Sequence, residues 1–528
     1  MITQQKQPST QPPVSTSNNS KKVAPAIWRR SGIGTLWQQT RKTLKGRFIL
    51  LTICIVVLAL AQALFFAHSF QQASSDLDTI NSGSIPSVNA AQTMAQYLED
   101  IDAKSADYLA TAPLTTTVPC SIVGTTFSPG PLTVHDCDDR NISAEIVLAN
   151  QQLYLAIHNV TYPGERTATE RITTGFEDYV GQIAIMRYEY DLATSKTNTR
   201  DVHMQNAHKA YLAANAILTT AIVTKPTINA AQNYVYDEKN LPSCKINGQS
   251  VAPAVWPLGG IRDNLNCLSD INYTHLSAAY DDTTHFLGYT VVLSIVLILF
   301  SCMLIFGTTG YMAFMTHRVI NPGLTFAVLI SIIFSIASVS LLAQSSGRHG
   351  AFGQMVKDDY DSIYYAALLK KYGTSANADE SRWLIAMEFN DQAEAAHWQQ
   401  DWVSNTAQVE QLMRRAVSNR TWPQEDQPLA DMQASWNRYY QIDGTIRSTA
   451  RSGNIVGAEK ISTGVSNTTF SNFTDAVDRL SQANLDHYNI TLNATQGALS
   501  LYIFLSAILF PLIGLCAVWG IARRLRDF

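Results

Sequence analysis

Residues 48–67 read FILLTICIVVLALAQALFFA, a run with no Asp, Glu, Lys or Arg. As a helix rising about 1.5 Å per residue, it covers a hydrocarbon core of roughly 30 Å. Three further stretches share this character: Phe286 to Gly307, Leu324 to Ala343, and Leu499 to Ala522. Four transmembrane helices are therefore expected. They divide the 528-residue chain into two large polar segments, 68–285 and 344–498, joined through a hairpin whose connector is 308–323.

The flanks assign the sides. Residues 1–47 hold nine Lys or Arg and no acid, the connector holds Arg318 and no acid, and the tail 523–528 sets Arg523, Arg524 and Arg526 against Asp527. Short basic flanks stay in the cytoplasm. The two large segments hold 41 of the 42 acids but 25 of the 38 Lys and Arg, a net of −16. Both segments are expected outside a plasma (cytoplasmic) membrane, with both termini cytoplasmic. The first apolar run starts too late and is too long for a cleaved signal peptide, so it reads as a retained anchor.

Residues 1–25 are rich in Gln, Pro, Ser, Thr and Asn, a composition expected to be disordered. From Ile27, Ile33, Leu36, Trp37 and Leu44 recur at helical spacing, with Arg29, Arg30, Arg41, Lys42, Lys45 and Arg47 on other faces. A basic amphipathic helix over 26–47 is expected in the headgroup layer. A stop-transfer flank explains it. A docking surface for a cytoplasmic protein, completed by Arg318, Arg523 and Arg524, is the sharper alternative.

The outside segments have helical periodicity. Ile142, Ile146, Ala149, Leu153, Ala156 and Val160 step by three and four, and Met94, Leu98, Ile101 and Tyr108 nearly so. Phe470, Phe473, Val477 and Leu480 form a stripe that Leu485, Tyr488 and Leu492 resume after an offset, with no Pro or Gly before Gly497. That helix is expected to continue into the fourth span. The second segment suits four antiparallel helices with turns at Gly373–Ala378, Asn419–Gln427 and Ser452–Asn454. The first is longer by two Pro/Gly-rich insertions, Thr111–Arg140 and Asn240–Asp263. The order span, bundle, span, turn, span, bundle, span reads as a tandem duplication, with 294-SIVLILF-300 echoed by 505-LSAILF-510.

Cys54, Cys302 and Cys516 lie in spans, whereas Cys120, Cys137, Cys244 and Cys267 all lie in the first outside segment. Two disulfides are expected there. Three connectivities are open, and Cys120–Cys137 with Cys244–Cys267 is preferred because each staples one insertion. A metal site from His135, Asp136, Cys137, Asp138 and Asp139 is disfavoured, since adjacent loop residues seldom converge on one ion. Eight outside Asn-x-Ser/Thr sequons, at Asn141, Asn159, Asn272, Asn419, Asn467, Asn472, Asn489 and Asn493, are attributed to chance in a chain rich in these residues. No protease, P-loop, hydrolase or kinase signature is present, so no enzyme, cofactor or nucleic-acid role is expected. No span carries an ionisable Asp, Glu, Lys, Arg or His, which argues against a pump or voltage sensor.

An outside helical bundle hung between two spans resembles the sensor modules of bacterial chemoreceptors and histidine kinases. The resemblance rests on Trp436-x3-Tyr440, Gly453-Asn454, Ala458, Phe470, Phe473 and Leu480, and on Ile80-Asn81, Ile85-Pro86, Ala90-Ala91 and Leu98. No signalling coiled coil or kinase is expected in the six residues that follow span four. The four-span plan instead resembles actinobacterial-type membrane sensors encoded beside an extracytoplasmic amino-acid-binding protein and a soluble Ser/Thr kinase. That resemblance implies a sensor that reads the loaded solute-binding protein outside and reports to the kinase inside. The lipid bilayer and a second copy of the chain are further candidate partners. The alternatives are a structural accessory subunit of a membrane complex and a prominin-like membrane-shaping glycoprotein.

Overall fold

The computed structural model describes residues 43–110, 117–125, 129–195, 197–222, 244–246, 249–251, 259–317 and 321–526. The expectations for 1–42, including Arg29, Arg30, Arg41 and Lys42, and for Arg318 lie outside them.

The architecture is all-α, and among the described residues four helices are long and apolar enough to cross a membrane. Helix α1, Leu44–Asp78, passes through a π-helical segment, Thr79–Ser84, into α2, Ile85–Ala110. A short hairpin pairs Thr117–Cys120 with Gly130–Thr133. Then come α3 (Val134–His158), α4 (Glu165–Ser195), α5 (Arg200–Thr219) and α6 (Ile261–Thr316), the last preceded by the strand pair Cys244–Ile246 and Gln249–Val251. The second unit opens with α7, Pro322–Ser345, and after one turn passes through a second π segment, Gln354–Tyr360, into α8, Asp361–Glu388. It continues with α9 (Gln392–Ser418), α10 (Asp426–Arg451), α11 (Ile455–Ile461), a third π segment (Ser462–Ser466) and α12 (Asn467–Leu525).

The spanning parts of α1, α6, α7 and α12 form a ring in which α12 packs on α1 and α7, and α6 on α7 and, less extensively, α1. Both bundles project from the same end of that ring. One continuous apolar core runs from Phe48, Ile513 and Ile521 in the spans, through Phe66, Phe70 and Leu77, to Val88, Tyr360 and Tyr488 above them. No loop interrupts this path, because α1, α6 and α12 each carry the chain from span to bundle as helix. At about 1.5 Å per residue, the 59-residue α12 is roughly 88 Å long. Pro511 lies inside it without ending it, as is tolerated in spanning helices.

Several expected details differ. Gly373–Ala378 is not a turn but the middle of α8, and the chain reverses at Phe389–Asp391, where Asn390 adopts φ 56°. Gly373 serves packing: a Cβ there would lie 2.7 Å from the Phe473 ring. The stripe on α12 has no offset. Asn484, fully buried, fills the core position between Leu480 and Tyr488, and Leu485 faces outward. Val160 lies beyond the end of α3 and is exposed. The insertion expected over Thr111–Arg140 ends earlier, because Thr133 caps α3 with its hydroxyl accepting from the Asp136 amide at 3.1 Å.

Candidate functional site: twin latches and a buried ionic joint

The tight turn between α3 and α4 reads 159-NVTYPGE-165, and that between α9 and α10 reads 419-NRTWPQE-425. Both follow Asn-x-Thr-aromatic-Pro-x-Glu, and the Asn, Thr and Glu make corresponding contacts in both places. Backbone amides at a helix start have no partner within the helix, so a buried start needs a side-chain acceptor. Glu425 Oε2 accepts from the amides of Thr421 at 2.7 Å and Trp422 at 2.9 Å. Glu165 Oε2 accepts from the Thr161 amide and from the Tyr162 amide at 2.6 Å.

The other carboxylate oxygen reaches across to the returning helix. Asn484 of α12 donates to Glu425 Oε1 at 2.9 Å, and Asn272 of α6 donates to Glu165 Oε1. These asparagines sit in a second repeated motif, 268-LSDINYTH-275 and 480-LSQANLDH-487. Three residues on, the histidine takes the aromatic of the turn: Tyr162 stacks on His275 at 4.0 Å and Trp422 on His487 at 3.7 Å.

The leading asparagine ties the turn to the π segment. Asn159 Nδ2 donates to the Gly83 carbonyl and to Ser87 Oγ, each at 2.7 Å. Asn419 Nδ2 donates to the Asp358 carbonyl at 3.0 Å and to Ser362 Oγ at 2.9 Å. The first latch thus joins the foot of its bundle to two helices that enter the membrane, α1 and α6, and the second joins it to α12, which enters the membrane, and to α8, which follows the span α7 after a turn. π segments are frequent at functional sites because they hold a local irregularity in the ladder. The sequons at Asn159 and Asn419 belong to this latch, with the Thr161 and Thr421 hydroxyls bonding back to the asparagine carbonyls at 3.1 and 3.0 Å. Asn272 is fully buried.

Further from the membrane, α2 packs along α8 and joins the two bundles. Arg262 at the start of α6 grips Glu99 of α2 with a two-pronged contact, Nε to Oε1 at 2.5 Å and Nη2 to Oε2 at 2.6 Å. Arg382 of α8 crosses the joint. Its Nε lies 2.7 Å from Asp102 Oδ2, its Nη2 also bonds Asp102, and its Nη1 lies 2.6 Å from Asp379. Tyr211 and Asn215 of α5 donate to the same Asp102 oxygen at 3.2 and 3.1 Å. The Trp398 ring lies 5.0 Å from the Arg382 guanidinium. Glu99, Asp102, Asp379 and Arg382 are all essentially inaccessible to water.

Burial opposes the charge on Glu99, but the Arg262 and Arg382 guanidiniums outweigh it and hold its pKa below the usual value. At Asp379 burial wins over Arg382, and the pKa rises to about 7. Burial, then repulsion from Arg262, brings the pKa of Lys371 down to about 8; its ammonium donates to Asn266 of α6. A buried pair is weak evidence for net stability, but losing one member strands a charge.

A second polar layer interrupts the second bundle. Glu380 accepts from Ser462 at 2.7 Å and Ser466 at 3.2 Å, both in the third π segment. Arg447 is held by Asp443 Oδ2 at 2.8 Å and Gln399 at 2.7 Å, between the rings of Trp383 and Trp402 at 4.8 and 4.7 Å. Burial, with repulsion from Asp443, lifts Glu380 to about 8.

Within this frame, residues 323–488 match the family model of a four helix bundle sensory module for signal transduction. The second unit is similar to that sensory module. The match begins at α7 and ends one residue past His487, so it contains the whole second latch and one side of the joint. The first unit repeats the second unit's latch on its own residues, outside the matched range. No curated protein and no solved structure matches the chain.

Of the residues singled out from sequence, Cys120 and Cys137 are bonded to each other, with Cα atoms 5.8 Å apart. Cys267 is disulfide-bonded, and the side chain of Cys244 lies outside the described residues. His135 is held between the rings of Tyr108 at 4.0 Å and Tyr190 at 4.7 Å, and Asp139 pairs with Arg187. Among the described residues no group of His, Cys, Asp and Glu has the arrangement of a metal site. Arg523 lies 5.9 Å from the Trp519 ring at the end of α12, and Arg524 has partners of its own. The latches and the joint were not anticipated. The two repeated motifs were visible in the sequence, whereas nothing in it pairs Glu99 and Asp102 with Arg382.

Proposed function

We propose that this chain is a multi-pass membrane sensor whose paired bundles respond outside the cell and whose spans deliver the response to a separate cytoplasmic protein. The sensory-module match over 323–488 carries this reading. The unbroken helices from bundle to span supply its mechanics. A ligand, or a ligand-loaded solute-binding protein, that favours one packing of the bundles over another shifts the helices that leave them. The joint ties the bundles, so a change in either is felt by both, and the latches pass it to α1, α6, α8 and α12. The basic flanks favour a cytoplasmic position for both termini. There Arg29, Arg30, Arg41, Lys42, Arg318, Arg523 and Arg524 form the docking surface for a Ser/Thr kinase.

The test is affinity recovery of the tagged full-length chain from native membranes, with and without residues 1–25 and the pair Arg29→Glu and Arg30→Glu. The expected result is a cytoplasmic kinase and an extracytoplasmic binding protein with the intact chain, and loss of the kinase alone with the altered tail. Recovery of only structural membrane subunits, unchanged by the tail, would sink the sensor reading in favour of an accessory subunit.

A further inference from the structure

The ring of spans closes unevenly. Between α1 and α6, Gln62 donates to the Leu297 carbonyl at 3.3 Å and accepts from Ser301 at 3.4 Å, which ties the two helices at mid-depth. Nearer the chain termini an open groove of about 650 Å³ lies between them, before Phe48 and Tyr311 bring the two helices together again with ring centroids 5.7 Å apart. Its walls are apolar, with Leu50 and Leu51 on one side and Phe300, Met303 and Leu304 on the other. Gly307 also lines it, at a position where a Cβ would meet nothing within 4 Å, so a larger side chain there has room to enter the groove.

The polar end is equally specific. Arg47 lines the groove and donates through Nη1 to the Tyr311 hydroxyl at 3.3 Å, with Lys45 exposed nearby. From Phe300 to Tyr311 the helix rises roughly 16 Å, the hydrocarbon depth of a single leaflet. A water-soluble ligand has no access to such a wall, and phosphate alone would fill only its mouth. Cations at helix ends sit at the headgroup level, where they attract acidic lipid.

We propose that this groove is a site for one anionic glycerophospholipid of the leaflet facing the chain termini. An acyl chain lies between α1 and α6, and the phosphate lies against Arg47 and Tyr311. The bound lipid completes the seam of the ring, so that α1 and α6 move together.

The test uses the full chain in nanodiscs with spin-labelled phosphatidylglycerol or phosphatidylcholine as probe, reading the motionally restricted fraction. The wild-type chain is expected to retain phosphatidylglycerol preferentially, and Arg47→Gln to lower that preference about fivefold while Arg47→Lys keeps most of it. Gly307→Leu, which fills the groove, is expected to reduce retention of both probes. Ile333→Trp, on the exposed face of α7 outside the groove, should leave both unchanged. Thermal unfolding checks that each variant is folded. Equal retention of the two lipids by the wild-type chain, or an unaltered preference in Arg47→Gln, overturns the proposal.

Discussion

The two latches share a backbone plan and differ in what fills it. In the first unit the turn aromatic is Tyr162, whose hydroxyl meets the Ser84 hydroxyl at 2.8 Å. In the second it is Trp422, whose Nε1 donates to Asp359 at 2.8 Å, and the same carboxylate meets His487 Nδ1 at 2.9 Å. One latch is closed by neutral hydroxyls and the other by an acid, an indole and an imidazole. Burial, against the His487 and Trp422 contacts, raises the pKa of Asp359. The duplicated frame therefore holds one latch closed by paired hydroxyls and one closed through a carboxylate. The second latch belongs to the unit that resembles the sensory module.

The sharpest way to break the comparison is to remove what couples the units. Arg382→Ala strands Asp102 and Asp379 in the joint and is expected to cost about 3–5 kcal/mol. Calorimetry should then resolve two transitions where the wild-type chain gives one; a single transition at an unchanged midpoint would mean the bundles do not depend on the joint. Next in size are Glu165→Ala and Glu425→Ala, each of which deprives two amides and a buried asparagine of their acceptor, at about 2–3 kcal/mol each. Hydrogen exchange should show matched loss of protection in the corresponding turns. Loss in one turn only would mean the latches are not equivalent.

The pH response comes third. Glu380 is neutral in the fold up to about 8, whereas an unfolded glutamate ionises near 4.3. The folded state thus binds the extra proton, so stability falls as pH rises between those values and levels off above them. The second bundle's midpoint should drop from pH 5 to pH 8, and Glu380→Gln should flatten the profile; an identical profile in the variant would assign the titration elsewhere. The smallest effect compares the aromatics. Tyr162→Phe loses a neutral hydrogen bond worth about 1 kcal/mol, and Trp422→Phe one to an acid worth about 1.5–3 kcal/mol. Equal losses would show Asp359 to be uncharged in the latch.

Spans, helical class and duplication were legible because each rests on long periodic or apolar runs. The turn at Asn419–Gln427 was legible for its Pro and Asn, and that at Ser452–Asn454 for Gly453, whose φ is 88°. Gly373 misled, because a glycine that admits a phenylalanine ring looks the same in sequence as one that turns the chain. Asn484 misled in the opposite direction: a polar residue in a core stripe reads as a break unless its acceptor, Glu425, is known. The latches were written in the sequence as two spaced motifs but were masked as sequons. The joint was not written there at all, since its partners Asp102 and Arg382 are brought together only by the packing of α2 on α8.

At the far end of the ring, Asn321 donates to the Gly520 carbonyl at 3.0 Å and to the Met312 sulfur at 3.2 Å. Gly323 lies so close to Gly520 that a Cβ would come within 2.5 Å of its Cα. The hairpin between α6 and α7 is thereby riveted to the last helix. The end of α6, the start of α7 and the end of α12, 199 residues further along the chain, are thereby fastened into one face of the ring, so that a displacement of one end cannot leave the other two in place without breaking these contacts.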